Sequence, residues 1–122
     1  VVNKFHSVNK QYGRQFGEKV LRGIGAGLKK LARQTGGISC REEDDTFLLY
    51  CPHQDDYEQL INEFLSDVFS GKEIADKVSI RFGIFTDARQ VESIEYRFEC
   101  AKTAADRVKN DPERNFSFYD QT

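Results

Sequence analysis

The sequence predicts an α+β fold, a sandwich of one sheet and covering helices. Three observations predict it. Apolar residues recur at helical spacing over several long stretches. Two short apolar runs flank a polar connection, the pattern of a hairpin. Two later stretches alternate with the period of a strand. The resulting order is helix, hairpin, helix, strand, helix, strand, and such an order packs as helices over a sheet.

Residues 3 to 12 read as a short helix ended by Gly13, a residue able to take the left-handed conformation after a helix. Residues 15 to 34 read as the first long helix, with Val20, Leu21, Ile24, Leu28 and Leu31 forming one apolar stripe. Lys29, Lys30 and Arg33 lie in its last turns, where the helix dipole favours cations. Gly36-Gly37 ends it. Gly23-Ile24-Gly25-Ala26-Gly27 is not a phosphate-binding loop, because it lacks both a preceding strand and the G-x-G-x-x-G spacing. Small residues that let a neighbouring helix approach explain it better, at about 1 kcal/mol per glycine in helix stability.

Ile38 to Cys51 form the predicted hairpin. Its apolar runs are Ile38-Ser39-Cys40 and Phe47-Leu48-Leu49-Tyr50-Cys51, and Arg41-Glu42-Glu43-Asp44-Asp45-Thr46 connects them. The connection has neither Asn-Gly nor Asp-Gly to ease the turn. Four successive carboxylates there repel one another, a repulsion that a cation or a basic partner would relieve. Cys51-Pro52-His53-Gln54-Asp55-Asp56 has metal-ligating side chains but no second cluster to complete a site. It reads instead as a strand ended by proline and a helix capped by Asp.

Tyr57, Leu60, Ile61, Phe64, Leu65 and Val68 then form the stripe of a second long helix. Residues 77 to 86 alternate through Val78, Ile80, Phe82 and Ile84 as a strand. Val91 to Val108 read as a third helix with Ile94, Phe98, Ala101, Ala105 and Val108 inward. Asn115 to Tyr119 read as a last strand with Phe116 and Phe118 on one face.

The chain has 122 residues, enough for one domain and one core. Its 18 Lys and Arg against 20 Asp and Glu leave a net charge of −2, with no basic footprint for nucleic acid. No apolar run approaches membrane-spanning length and no signal peptide is visible. The three cysteines, Cys40, Cys51 and Cys100, are odd in number and scattered, which fits reduced thiols of a cytosolic protein. Packing in the core is favoured for them over a Cys40–Cys51 pairing across the hairpin. The sequence starts at Val1 and contains no Met, so it reads as an excised part of a larger multidomain protein.

Phe5-His6-Ser7-Val8-Asn9-Lys10-Gln11-Tyr12-Gly13 followed by Gly17-Glu18-Lys19-Val20-Leu21 resembles F-K-x-I-N-D-x-x-G-x-x-x-G-D-x-x-L of the GGDEF domain family, the bacterial diguanylate cyclases. Arg41 to Leu49 takes the place of that family's R-x-G-G-D-E-F hairpin. Val78-Ser79-Ile80-Arg81-Phe82-Gly83-Ile84-Phe85 is similar to its S-x-G-I strand, and Ala101-Lys102 through Lys109 to Arg114-Asn115-Phe116 resembles its A-K-x-x-G-R-N tail. The resemblance spans nearly the whole chain, through order and spacing rather than any intact motif. It implies a ferredoxin-like, polymerase-palm-like core with a central, mostly antiparallel sheet, its first helix and most of its first strand lying upstream of Val1.

The family joins two GTP into cyclic di-GMP, with divalent cations (Mg²⁺ or Mn²⁺) and two domains face to face. The resemblance maps one cation ligand onto Val1, which has no side-chain oxygen to offer a hard cation. It maps the other onto Asp45, which is competent. The signature glycines map onto Glu43 and Asp44, and the following acidic residue onto Thr46. Carboxylates in place of glycine add bulk and like charge beside a triphosphate. Guanine recognition maps onto Asn9 and Glu18, whose amide and carboxylate can pair with a base edge. Lys102, Lys109 and Arg114 map onto phosphate contacts. The family's inhibitory R-x-x-D site would begin near Arg33, and Gly36-Gly37 supplies no Asp.

The expected function is therefore a degenerate GGDEF domain, inactive as an enzyme, acting as a regulatory or interaction module. Its expected partners are GTP, a second copy, and a neighbouring EAL-type phosphodiesterase or sensor domain, without nucleic acid or membrane contact. The alternatives are a divergent cyclase using Asp45 with Glu43 or Asp44, and a structural dimerisation domain with an empty nucleotide site.

Overall fold

The computed structural model describes residues 1–3, 5–43, 45–69, 76–86 and 93–119. They form two compact units, one of Lys4–Ser79 and one of Val1–Asn3 with Ile80–Thr122. Helices and paired strands alternate as the α+β pattern predicts.

In the first unit, helix α1 (Phe5–Tyr12) buries Phe5 and Val8 against helix α2 (Arg14–Thr35). Asn3, expected to be helical, belongs instead to strand β1 (Val2–Asn3) of the other unit. α2 is the hub of its unit and packs on α1, on both strands of the hairpin and on helix α3 (Tyr57–Val68). Its buried residues are Gly17, Val20, Leu21, Ile24 and Ala32, while Leu28 and Leu31 are half-buried. Gly27 is where α3 comes close, since a Cβ there would stand 2.9 Å from Val68 Cγ2 and 3.2 Å from Phe64 Cε2. A Cβ on Gly23 would have nothing within 4 Å among the described residues, so close packing against them does not explain it. Gly36 ends α2 in the left-handed conformation (φ 76°, ψ 24°), and the Gly37 N–H closes the end on the Ala32 carbonyl at 2.8 Å. Asp56 caps α3, its carboxylate accepting from the Gln59 N–H at 3.0 Å.

Strands β2 (Ile38–Glu43) and β3 (Thr46–Tyr50) pair antiparallel from Ile38↔Tyr50 to Glu43↔Thr46. The strands thus run on through the acidic stretch, which the sequence had placed in the turn. Cys40 lies opposite Leu48 and is exposed, which corrects its core placement, and both it and Cys51 are free thiols. Cys51 is partly buried, and burial pushes its thiol above the ordinary value, opposed by a hydrogen bond with Thr35.

In the second unit, Val1 and Arg81 exchange both backbone hydrogen bonds at 2.8 Å, the pattern of an antiparallel pair. The predicted strand 77–86 is split by Arg81 into β4 (Ser79–Ile80) and β5 (Phe82–Ile84). β4 lies at the boundary of the two units and is paired with β1. β5 pairs in parallel with β6 (Phe116–Phe118). Helix α4 (Ile94–Arg107) covers both. Residues 91 and 92 of the predicted third helix lie outside the described residues. Ser93 caps α4 by accepting from the Tyr96 N–H at 3.2 Å.

One inward assignment changes. Ile94 is 49% exposed, while Cys100 and Ala104 are buried alongside the expected Ala105 and Val108. In β6 the buried residue is Ser117, while Phe118 is 46% exposed. Ser117 stands beside Gly83, and a Cβ on Gly83 would run into the Ala101 carbonyl. Neighbours in register share a sheet face, so the face pressed against α4 takes small residues and the phenylalanines turn away.

Candidate functional site

The hairpin tip is a two-residue connection, Asp44-Asp45, of which Asp44 lies outside the described residues. A β-bulge falls between Arg41 and Glu43, which turns the strand just before the tip. Arg41 braces it, its Nε donating to the Glu43 carbonyl at 3.1 Å while the guanidinium sits 5.9 Å from the Phe47 ring centre. Glu42 and Glu43 are exposed, where solvent and salt screen their charges. Thr46 is 6% exposed and donates its hydroxyl to Asp45 Oδ1 at 3.1 Å. One carboxylate oxygen of the half-buried Asp45 is thus held by its neighbour Thr46.

The second part of the site is the corner between α1 and α2. Asn9 sits in the last turn of α1, and its carbonyl accepts from the Gly13 N–H at 2.9 Å. Its amide lies on the backbone of Gly17, where a Cβ would overlap Asn9 Oδ1. Asn9 Oδ1 is buried and has no hydrogen-bond partner among the described residues, an unmet acceptor that a native structure seldom leaves. Glu18 follows Gly17 directly and is exposed. Gly17 is thus the small residue that makes room for the Asn9 amide.

Val1, Lys102, Lys109 and Arg114 belong to the other unit. The main chain of Val1 is engaged on both sides by Arg81. Lys102 is half-buried on α4 and pairs with Glu99 at 2.9 Å. Lys109 is exposed just after α4, its N–H donating to the Asp106 carbonyl at 3.2 Å. Arg114 is exposed in the loop before β6, its N–H donating to Asp111 Oδ1 at 3.3 Å. The structure thus seats Asn9 on Gly17, the residue before Glu18, and places Asp45 between Glu43 and Thr46, which pair across the hairpin.

Two residues of structural weight escaped the sequence reading. Arg81 donates to the Val108 carbonyl at 2.7 Å and the Asp111 carbonyl at 3.0 Å, tying the end of α4 to the strand pair. No local pattern announces it, since its partners are main-chain groups far along the chain. Lys77 sits over the rings of Tyr12 and Phe16. The i, i+4 spacing of those two aromatics across Gly13 was the available signal.

A groove of about 300 Å³ between α2 and α3 is lined by Gly27, Lys30, Leu31, Gln34, Phe64 and Asp67 among others, and holds none of the predicted site residues. Among the described residues no three His, Cys, Asp or Glu side chains gather as a metal site. No helix among them is long and apolar enough to cross a membrane.

Against known families, residues 1–115 match the model described as "Diguanylate cyclase, GGDEF domain". No curated protein and no solved structure matches.

Proposed function

Because the chain belongs to the diguanylate cyclase GGDEF domain family, we propose that it serves cyclic di-GMP signalling as a silent member. It holds GTP as a regulatory ligand and does not join two of them. Its output passes to a second copy or to a neighbouring phosphodiesterase or sensor domain, on the cytoplasmic side where GTP is available.

The observation that carries the silence is Val1. The family's reaction needs cations to neutralise charge developing on the polyphosphate and to activate the attacking hydroxyl. At the first ligand position this chain offers only an apolar side chain, and the Val1 carbonyl already accepts from the Arg81 N–H at 2.8 Å. At the second, Asp45 keeps one carboxylate oxygen on Thr46. The first position therefore offers the catalytic cations no side-chain ligand. Glu43 in a glycine position adds a carboxylate that repels a triphosphate.

The observation that favours retained nucleotide is the unmet acceptor on Asn9, which lies on Gly17, the residue before Glu18. A purine edge with N–H donors complements such a pair.

The test is thermal unfolding with GTP or ATP, in Mg²⁺ and in EDTA. GTP raises the midpoint and ATP does not. At 100 times its dissociation constant the ligand adds about 2.7 kcal/mol. Absence of a shift with every guanine nucleotide would end the nucleotide reading and leave a structural dimerisation domain.

A further inference from the structure

Lys77 lies two residues ahead of Ser79, in the same unit as α1 and α2. Its Nζ is 5.0 Å from the ring centre of Tyr12 and 5.3 Å from that of Phe16. The two rings touch each other, with centres 5.5 Å apart and planes inclined at 57°. Tyr12 is the last residue of α1, and Phe16 lies in the first turn of α2. One ammonium therefore spans both helices across Gly13.

That corner has little local support. Gly13 takes a positive φ (φ 96°, ψ 155°), open to glycine and strained for other residues. No side chain caps α2, and no acidic residue stands in its first turn. The main-chain ties there include Gly13 N–H to the Asn9 carbonyl at 2.9 Å and Gly17 N–H to the Gly13 carbonyl at 3.2 Å. A cation is unfavourable near the positive start of a helix. The negative faces of the two rings attract the Lys77 ammonium. Asn9 and Glu18, the pair assigned to the base, sit at the two ends of this corner.

We propose that Lys77 is a positioning residue, whose double cation–π contact closes the α1–α2 corner and so sets Asn9 against Glu18 for a purine base it does not itself touch. The last link rests on the nucleotide reading above, whereas the clamp stands on geometry alone.

The test uses Lys77→Met, which keeps the apolar stem, and Lys77→Arg, which keeps the cation. Hydrogen exchange is followed at the Gly13 and Gly17 amides, with the amides of α3 as internal reference, and GTP is titrated calorimetrically. In Lys77→Met, exchange at the corner rises about threefold to tenfold and GTP affinity falls by a similar factor, with α3 unchanged. Lys77→Arg retains both properties. Unchanged corner exchange in Lys77→Met overturns the clamp, and so does an equal rise at α3, which signals general destabilisation. Raised corner exchange in a protein that binds no GTP supports the clamp and overturns only the nucleotide reading. A changed corner with unchanged GTP affinity overturns the positioning role.

Discussion

Replacing Gly17 by Ala puts a methyl group into the amide of Asn9. The new Cβ would overlap Oδ1, stand 2.9 Å from Cγ and lie 3.4 Å from Phe5 Cε1. Phe5 is only 6% exposed, so the ring has little room to retreat. Overpacking of this kind costs about 1–3 kcal/mol. Alanine regains about 1 kcal/mol of helix propensity over glycine. The net result is a loss of about 0–2 kcal/mol. Gly23 lies in the same helix, and no described residue comes within 4 Å of its would-be Cβ. There the propensity gain stands alone, and Gly23→Ala stabilises by about 1 kcal/mol. Urea unfolding followed by circular dichroism compares the two variants with the parent. The account expects midpoints displaced in opposite directions, or Gly17→Ala near zero with Gly23→Ala clearly raised. In an Asn9→Ala background the obstacle is gone, and Gly17→Ala should then stabilise. Equal effects of the two alanines in the parent protein would refute the claim that Asn9 is seated on Gly17.

Other expectations follow from the same geometry. Gly83→Ala meets main chain rather than a side chain, with Ala101 and Ala105 of α4 in its way, and should cost about 2–4 kcal/mol in denaturant unfolding. Asp56→Ala removes the cap on the Gln59 N–H and should cost about 0.5–2 kcal/mol. Iodoacetamide should modify the exposed Cys40 first and the partly buried Cys51 more slowly, with Cys100, 2% exposed, last, as read by peptide mass spectrometry. The folded state raises the Cys51 thiol above its ordinary 9.0, so it favours the neutral form. That contribution is complete below the unfolded value and is lost as pH rises through the folded one, so a Cys51→Ala variant should narrow the alkaline loss of stability.

Local chemistry made much of the fold legible. The stripe from Val20 to Ile24, the glycine stop at Gly36 and the Asp56 cap each depend on neighbours within a turn or two. What escaped depends on distant partners. Phe116-Ser117-Phe118 shows alternation but not which phase faces inward. That choice was made by Gly83, which brings α4 so close that only Ser117 fits beside it. Ile94 fits a helical stripe by spacing, yet it lies at the start of α4 and the helix rests on Cys100, Ala104 and Ala105. The sequence placed Arg41 to Thr46 in the connection between the strands. The ladder runs through it to Glu43 and Thr46, with Arg41 donating to the Glu43 carbonyl beside the bulge. In the candidate site, Asn9, Glu18 and Asp45 were named by resemblance. Their setting was not, because Gly17 beneath Asn9 and Thr46 on Asp45 are contacts no motif spells out.

The most direct measurement of the central claim is product formation from GTP over hours, in Mg²⁺ and separately in Mn²⁺, with cyclic di-GMP detected by mass spectrometry. The account predicts no product above that of an Asp45→Ala variant. Cyclic di-GMP that accumulates with the parent protein and disappears with Asp45→Ala would contradict it and make the domain a working, divergent cyclase.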